Sequence, residues 1–146
     1  MSISPVDDIR NDDEAINAAL PALKKKAAGS PMFKVVVPWN GSFIVRQQTL
    51  NDVREVAAIL EKHEKAMHTQ IAALSTDEEK NELFAAKRAE ASDISNLENL
   101  RRTVLFPEDF AERCDNGTIP AGIMATLISY VMNISGWADD VVITEV

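Results

Sequence analysis

The stretch with the most obvious capacity for chemistry is HEKAMH, His63 to His68, which holds both histidines of the chain. A zinc-protease helix needs two histidines four residues apart, because 3.6 residues per turn then places both imidazoles on one face. Here the spacing is five, which turns the second ring about 140° away from the first. No metal is expected. Cys114, the only cysteine, has no histidine near it in sequence and cannot form an internal disulfide. Arg113 beside it would favour a thiolate, but a packed thiol is the simpler expectation. Five glycines supply neither a phosphate-binding loop nor a dinucleotide fingerprint. No serine sits in a nucleophile elbow. The acidic clusters Asp7-Asp8, Asp12-Asp13-Glu14 and Asp139-Asp140 lack the glycine and spacing of a calcium loop. These residues predict no enzyme, no cofactor and no catalytic site. Function should reside in surfaces.

The element that best suits recognition is FKVVVPWNGSFIVRQQT, Phe33 to Thr49. Two apolar runs flank Asn40-Gly41, a dipeptide that accepts the positive φ of a type I′ turn, so a β-hairpin is predicted. With those two residues as the loop, Trp39 faces Ser42, Pro38 faces Phe43 and Val37 faces Ile44. One face then carries Phe33, Val35, Val37, Trp39, Ile44 and Arg46. The other carries Val36, Pro38, Phe43 and Val45. Both faces are apolar near the turn and a lone hairpin is marginal, so both need cover. A helical domain covers one face. The other face and the open strand edges would suit another chain. Phe33, Val35, Val36, Val37, Trp39, Phe43, Ile44 and Val45 are the candidate partner-binding residues.

Around the hairpin the chain reads as helical, giving an α+β, mainly α fold: an N-terminal β-hairpin, a long helical hairpin and a C-terminal helix. Residues 1–32 are expected to be an acidic arm with one or two helical turns, interrupted at Pro21 and ended by Gly29-Ser30-Pro31. Residues 33–146 are expected to form one domain. Thr49 with Asp52 resembles a capping box. Leu50, Val53, Ala57, Leu60, Met67, Ile71 and Leu74 then recur at spacings of three and four, with Glu64 breaking the seam. Ser75 with Glu78 resembles a second box. The helix after it carries Leu83, Phe84, Ala86, Ile94, Leu97, Leu100 and Val104, and Pro107 stops it after VLF. A short connector predicts an antiparallel pair. EDFAERC predicts a short helix. A further helix is predicted from about Pro120, with Ile123, Leu127, Tyr130, Val131 and Ile134 as its buried stripe. Gly136 should cap that helix and Trp137 fold back on it. The closing VVITEV is a candidate third strand for the hairpin.

Composition sets bounds on partners. The chain has 146 residues, 46 % apolar, with a formal charge of −8. Such a balance offers no broad basic surface for phosphates, so nucleic acid is not an expected partner. Lys24-Lys25-Lys26, the one basic cluster, reads as a solvated helix end. No apolar run approaches the ~20 residues that span a bilayer, so no membrane is expected. The acidic start MSISPVDDIRNDDEAI lacks the order of a secretory signal, and a reducing cytoplasm is the expected setting. The Asn-x-Ser/Thr triplets at Asn40, Asn116 and Asn133 then have no glycosylation role, and turn chemistry accounts for the first two.

The order of these elements resembles a known group. FKVVVPWNGSFIVRQQTLNDVREVAAIL, an apolar run, proline, short turn, apolar run and arginine followed by Thr-Leu and a charged helix, is similar to the opening of small tail proteins of contractile-tailed bacteriophages. These are the tail assembly chaperones and the baseplate hub assembly proteins. NLRRTVLFPEDFAERCDNGTIPAGIMATLISYVMNISGW, Asn99 to Trp137, resembles their later part, with an apolar-aromatic-proline element, a Pro-Ala-Gly helix start and a Ser-Gly-aromatic end. The resemblance spans about Phe33 to Trp137 and excludes the acidic arm. It implies a non-enzymatic assembly protein that binds other tail or baseplate proteins in the host cytoplasm and then leaves or stays in the virion tail. It brings no catalytic residue to carry over. A rival expectation from a different class is a bacterial adaptor or regulatory module that forms a homo-oligomer through its helical hairpin. Neighbouring genes for tail tube, sheath or tape measure would separate the two.

Overall fold

Apolar residues at Ile16, Leu23 and Ala27 share one side of helix α1, Asp13–Ala27, and all three are buried. The computed structural model describes residues 13–37 and 41–137. The described residues divide into two units. One holds the chain up to Gln48 together with the chain from Arg101; the other is Thr49–Leu100.

In the first unit α1 leads into strand β1, Met32–Val37, and strand β2, Gly41–Arg46. A third strand, β3, Val104–Phe106, completes an antiparallel sheet in the order β1-β2-β3. Short helix α4, Phe110–Asp115, and helix α5, Ala121–Ile134, follow. In chain order helices α2, Leu50–Ala72, and α3, Asp77–Thr103, lie between β2 and β3. The fold is α+β and mainly α, as its sequence pattern predicts.

Four expectations need correction. Within the expected arm, α1 runs for 15 residues rather than one or two turns and groups with the sheet unit, while residues 1–12 lie outside the described part. Ile16, Leu23 and Ala27 pack with Ile44 and Leu105 as one cluster, with Ala19, Met32 and Phe106 against it. An interior proline costs a helix about 3 kcal/mol. Pro21 is exposed, and burial of neighbouring Leu23 to 1 % helps offset that cost. Further along the chain, Thr49–Leu100 form a compact unit of their own.

The hairpin register is the second correction. Val37 pairs with Gly41, Val36 with Ser42, Val35 with Phe43 and Phe33 with Val45. The connection is therefore Pro38, Trp39 and Asn40, three residues that lie outside the described part. Gly41 opens β2 at φ +89°. In a ladder, paired residues share a face. Phe33, Val35, Val37, Phe43 and Val45 therefore lie together, opposite Met32, Lys34, Val36, Ser42, Ile44 and Arg46. This register sorts the hairpin into one fully apolar face and one mixed face, a better division than the predicted one.

Third, VLF is not the end of a helix. Its buried Val104 and Leu105 form β3, with Ile44 opposite Phe106. The third strand thus comes from there, and VVITEV lies outside the described residues. Fourth, the helix after Leu74 is capped by Thr76, whose hydroxyl accepts from Glu79 N–H at 3.2 Å, one residue later than the predicted box.

Other local expectations hold. Thr49 and Asp52 form a reciprocal capping box, with Asp52 N–H on Thr49 Oγ1 and Thr49 N–H on Asp52 Oδ2. Helix α5 starts after Pro120 and buries Ile123, Leu127 and Val131, while Tyr130 and Ile134 of the expected stripe are only half-buried. Gly136, at φ +88°, donates to the Asn133 carbonyl while Trp137 N–H reaches the Met132 carbonyl. That bond pair is the Schellman ending.

Candidate interaction surface

The hairpin residues have two different fates. Phe43 is 1 % exposed, and its ring meets Phe110 edge-to-face at a centroid distance of 6.1 Å. Val35, Ile44 and Val45 are also buried. Within this fold these four side chains serve the protein's own core and are not available to a partner. The reason is the third strand and the flanking helices, which supply the cover that the sequence left open. Phe33 and Val37 are half-buried. Val36 is 65 % exposed, a β-branched residue projecting from the mixed face. Trp39 lies outside the described residues.

Strand β1 is an edge of the sheet formed by the described residues. Among the described residues it pairs with β2 only, leaving its other side without a ladder partner. Six residues, MFKVVV, form this edge. An edge strand carries outward-facing N–H and C=O groups that can pair with an added strand. Lys34 is the one charge in the strand.

The far end of the hairpin is pinned by Gln47 and Gln48, which local sequence patterns did not single out. Gln47 Nε2 donates to the carbonyl of Ile134 at 2.8 Å. Gln48 N–H donates to Ser135 Oγ at 2.7 Å, and Trp137 Nε1 donates to Gln48 Oε1 at 2.8 Å. The last carbonyls of a helix lack intrahelical donors, and a side-chain amide satisfies one here. These contacts join positions nearly ninety residues apart, so no periodicity could reveal them. The one usable signal was two amide side chains directly after a strand.

Among the described residues, the histidines and Cys114 are not brought together as a reaction centre, and Asp7-Asp8, Asp12 and Asp139-Asp140 lie outside the described part. His63 lies 3.8 Å from Glu90 across the helical hairpin, while the exposed His68 lies 3.5 Å from Glu64. Among the described residues no group of three or more His, Cys, Asp or Glu could hold a metal ion. Cys114 is buried in α4, and that burial pushes its thiol pKa up against the opposing pull of Arg101 and Arg113. The thiol form is the favoured one, which is a poor nucleophile. Arg101 instead pairs with the Asp115 carboxylate. No described helix is long and apolar enough to cross a membrane.

The chain matches no protein-family model, no curated protein and no solved structure.

Proposed function

We propose that this chain is a non-enzymatic bacteriophage tail or baseplate assembly protein. It recruits other tail proteins through the outer edge of β1, with Val36, Phe33 and Val37 as the side chains at the contact. The resemblance of Phe33–Leu60 and Asn99–Trp137 to tail assembly chaperones and baseplate hub assembly proteins supports the phage assignment. The observation that carries the surface is the edge position of β1 together with the 65 % exposure of Val36. A partner strand laid along β1 would gain main-chain hydrogen bonds. Val36 would supply an apolar contact on one face, and the half-buried Phe33 and Val37 would supply it on the other.

Assembly would take place in the host cytoplasm, with the protein then released or kept in the tail. The test is co-expression with the tail and baseplate proteins encoded beside its gene, followed by pull-down. One of them should be retained by the wild-type chain and lost by Val36→Asp. Metabolic gene neighbours, with no tail protein retained, would sink the reading.

A further inference from the structure

The α2/α3 pair buries little of its own apolar seam. Of the apolar side chains in Thr49–Leu100, Val56, Met67 and Leu100 are the buried ones. Leu60, Ile71, Leu74, Leu83, Ile94 and Leu97 are only half-covered. Phe84 stays 41 % exposed. Midway along the pair, Leu60, His63 and Met67 of α2 and Phe84, Lys87 and Ala91 of α3 line a cleft of about 280 Å³. His63 Nε2 has no hydrogen-bond partner there among the described residues. Two helices cannot enclose a seam of this kind, whereas four can.

The charges around the cleft indicate what covers it. One lining charge is held locally, Lys87 lying 3.0 Å from Glu90, and beside the cleft Lys65 lies 3.2 Å from Glu61. Two lining charges of opposite sign are left on opposite helices. Glu64, on α2, has a side chain 65 % exposed and, among the described residues, pairs with His68 alone, at 3.5 Å. Arg88, on α3, lies over the Phe84 ring at 5.6 Å and forms no ion pair among the described residues. A surface with one sign on each of two antiparallel helices is complementary to itself under a two-fold rotation. Self-complementarity is the requirement of an isologous interface.

Size agrees. A 23-residue helix such as α2 is about 34 Å long, and two helices side by side are about 20 Å wide. Such a face offers roughly 700 Å² per copy, close to the ~800 Å² per partner of a standard interface.

We infer that the chain forms a two-fold dimer in which the α2/α3 hairpins of two copies pack face to face as a four-helix bundle. Each Phe84 enters the other copy's cleft, and each Arg88 pairs with the other copy's Glu64. This inference rests on α2 and α3 alone and is independent of recognition at the β1 edge.

Sedimentation equilibrium of the full chain tests it. The wild type should be a concentration-dependent dimer. Arg88→Glu and Glu64→Arg, both at exposed positions, should each raise the dissociation constant by at least about tenfold, since each sets like charges opposite one another. Helical circular dichroism should be unchanged in both. The double variant Arg88→Glu/Glu64→Arg should restore dimerisation. A monomer at every concentration overturns the inference, as does a dimer indifferent to both reversals or a loss that the double exchange fails to repair.

Discussion

Gln47 holds the last turn of α5 from 87 residues away, its side-chain amide 2.8 Å from the Ile134 carbonyl. With the bonds from Gln48 to Ser135 and from Trp137 to Gln48, it fixes where β2 ends relative to α5. Gln47→Ala should therefore destabilise the protein by about 1 kcal/mol, the usual net value of one such bond. Trp137→Phe keeps a ring but removes the indole donor and should cost about 0.5–1 kcal/mol. Urea unfolding of both variants checks this. The pair Gln47→Ala/Trp137→Phe should be less than additive, because the two bonds secure the same junction.

Gly41 supports a different part of the hairpin. Its φ of +89° is a conformation that a β-branched residue enters only under strain. Gly41→Val should cost more than the ~1 kcal/mol that glycine replacement changes at compatible sites. The loss should appear in thermal unfolding, with the hairpin's amide protons exchanging faster than those of α5.

Sequence pattern revealed the elements whose signals are local. The Thr49–Asp52 box, the start of α5 after Pro120 and the ending at Gly136 and Trp137 all depend on residues a few positions apart. The helical hairpin was legible for the same reason. The hairpin's register was not, because Asn40-Gly41 is also compatible with a three-residue connection in which only Gly41 enters β2. Helix α1 was obscured by Pro21 and the acids before it, since its stability comes from packing Ile16, Leu23 and Ala27 with Ile44 and Leu105. Strand β3 looks like a helix end in the sequence because three apolar residues carry no usable period, and its partner Ile44 lies some sixty residues earlier. Of the eight candidate binding residues, position in strand and core, rather than residue type, separates Val36 from Phe43.

That separation gives a contrast between two substitutions. Phe43 is fully enclosed and stacks edge-on with Phe110. Phe43→Ala should cost about 3–5 kcal/mol, and Phe43→Asp should unfold the sheet unit, since it buries a charge without a partner. Val36→Asp should leave the urea midpoint close to wild type, because its side chain meets solvent. Its effect should be confined to partner retention. An equal loss of stability in Val36→Asp and Phe43→Asp would show that the exposed position is part of the core.

Acid should weaken the α2/α3 unit through Glu90. The Lys87 ammonium, 3.0 Å away, holds this carboxyl below its ordinary value by hydrogen bond and by charge, with a smaller contribution from His63. A carboxyl whose pKa is lower when folded stabilises the protein fully above its unfolded pKa, about 4.3 for a glutamate. That contribution fades as pH falls through the lower folded value, because the folded state must then give up the ionised form that Lys87 favours. The unfolding midpoint in urea, followed downward from pH 7, should fall in this window for the wild type. Glu90→Gln should fall less steeply there, since an amide does not titrate. Lys87→Met should flatten the profile in the same way by removing the cation. If both variants keep the full wild-type slope, the acid sensitivity belongs to other carboxylates and the Lys87–Glu90 pair contributes nothing to it.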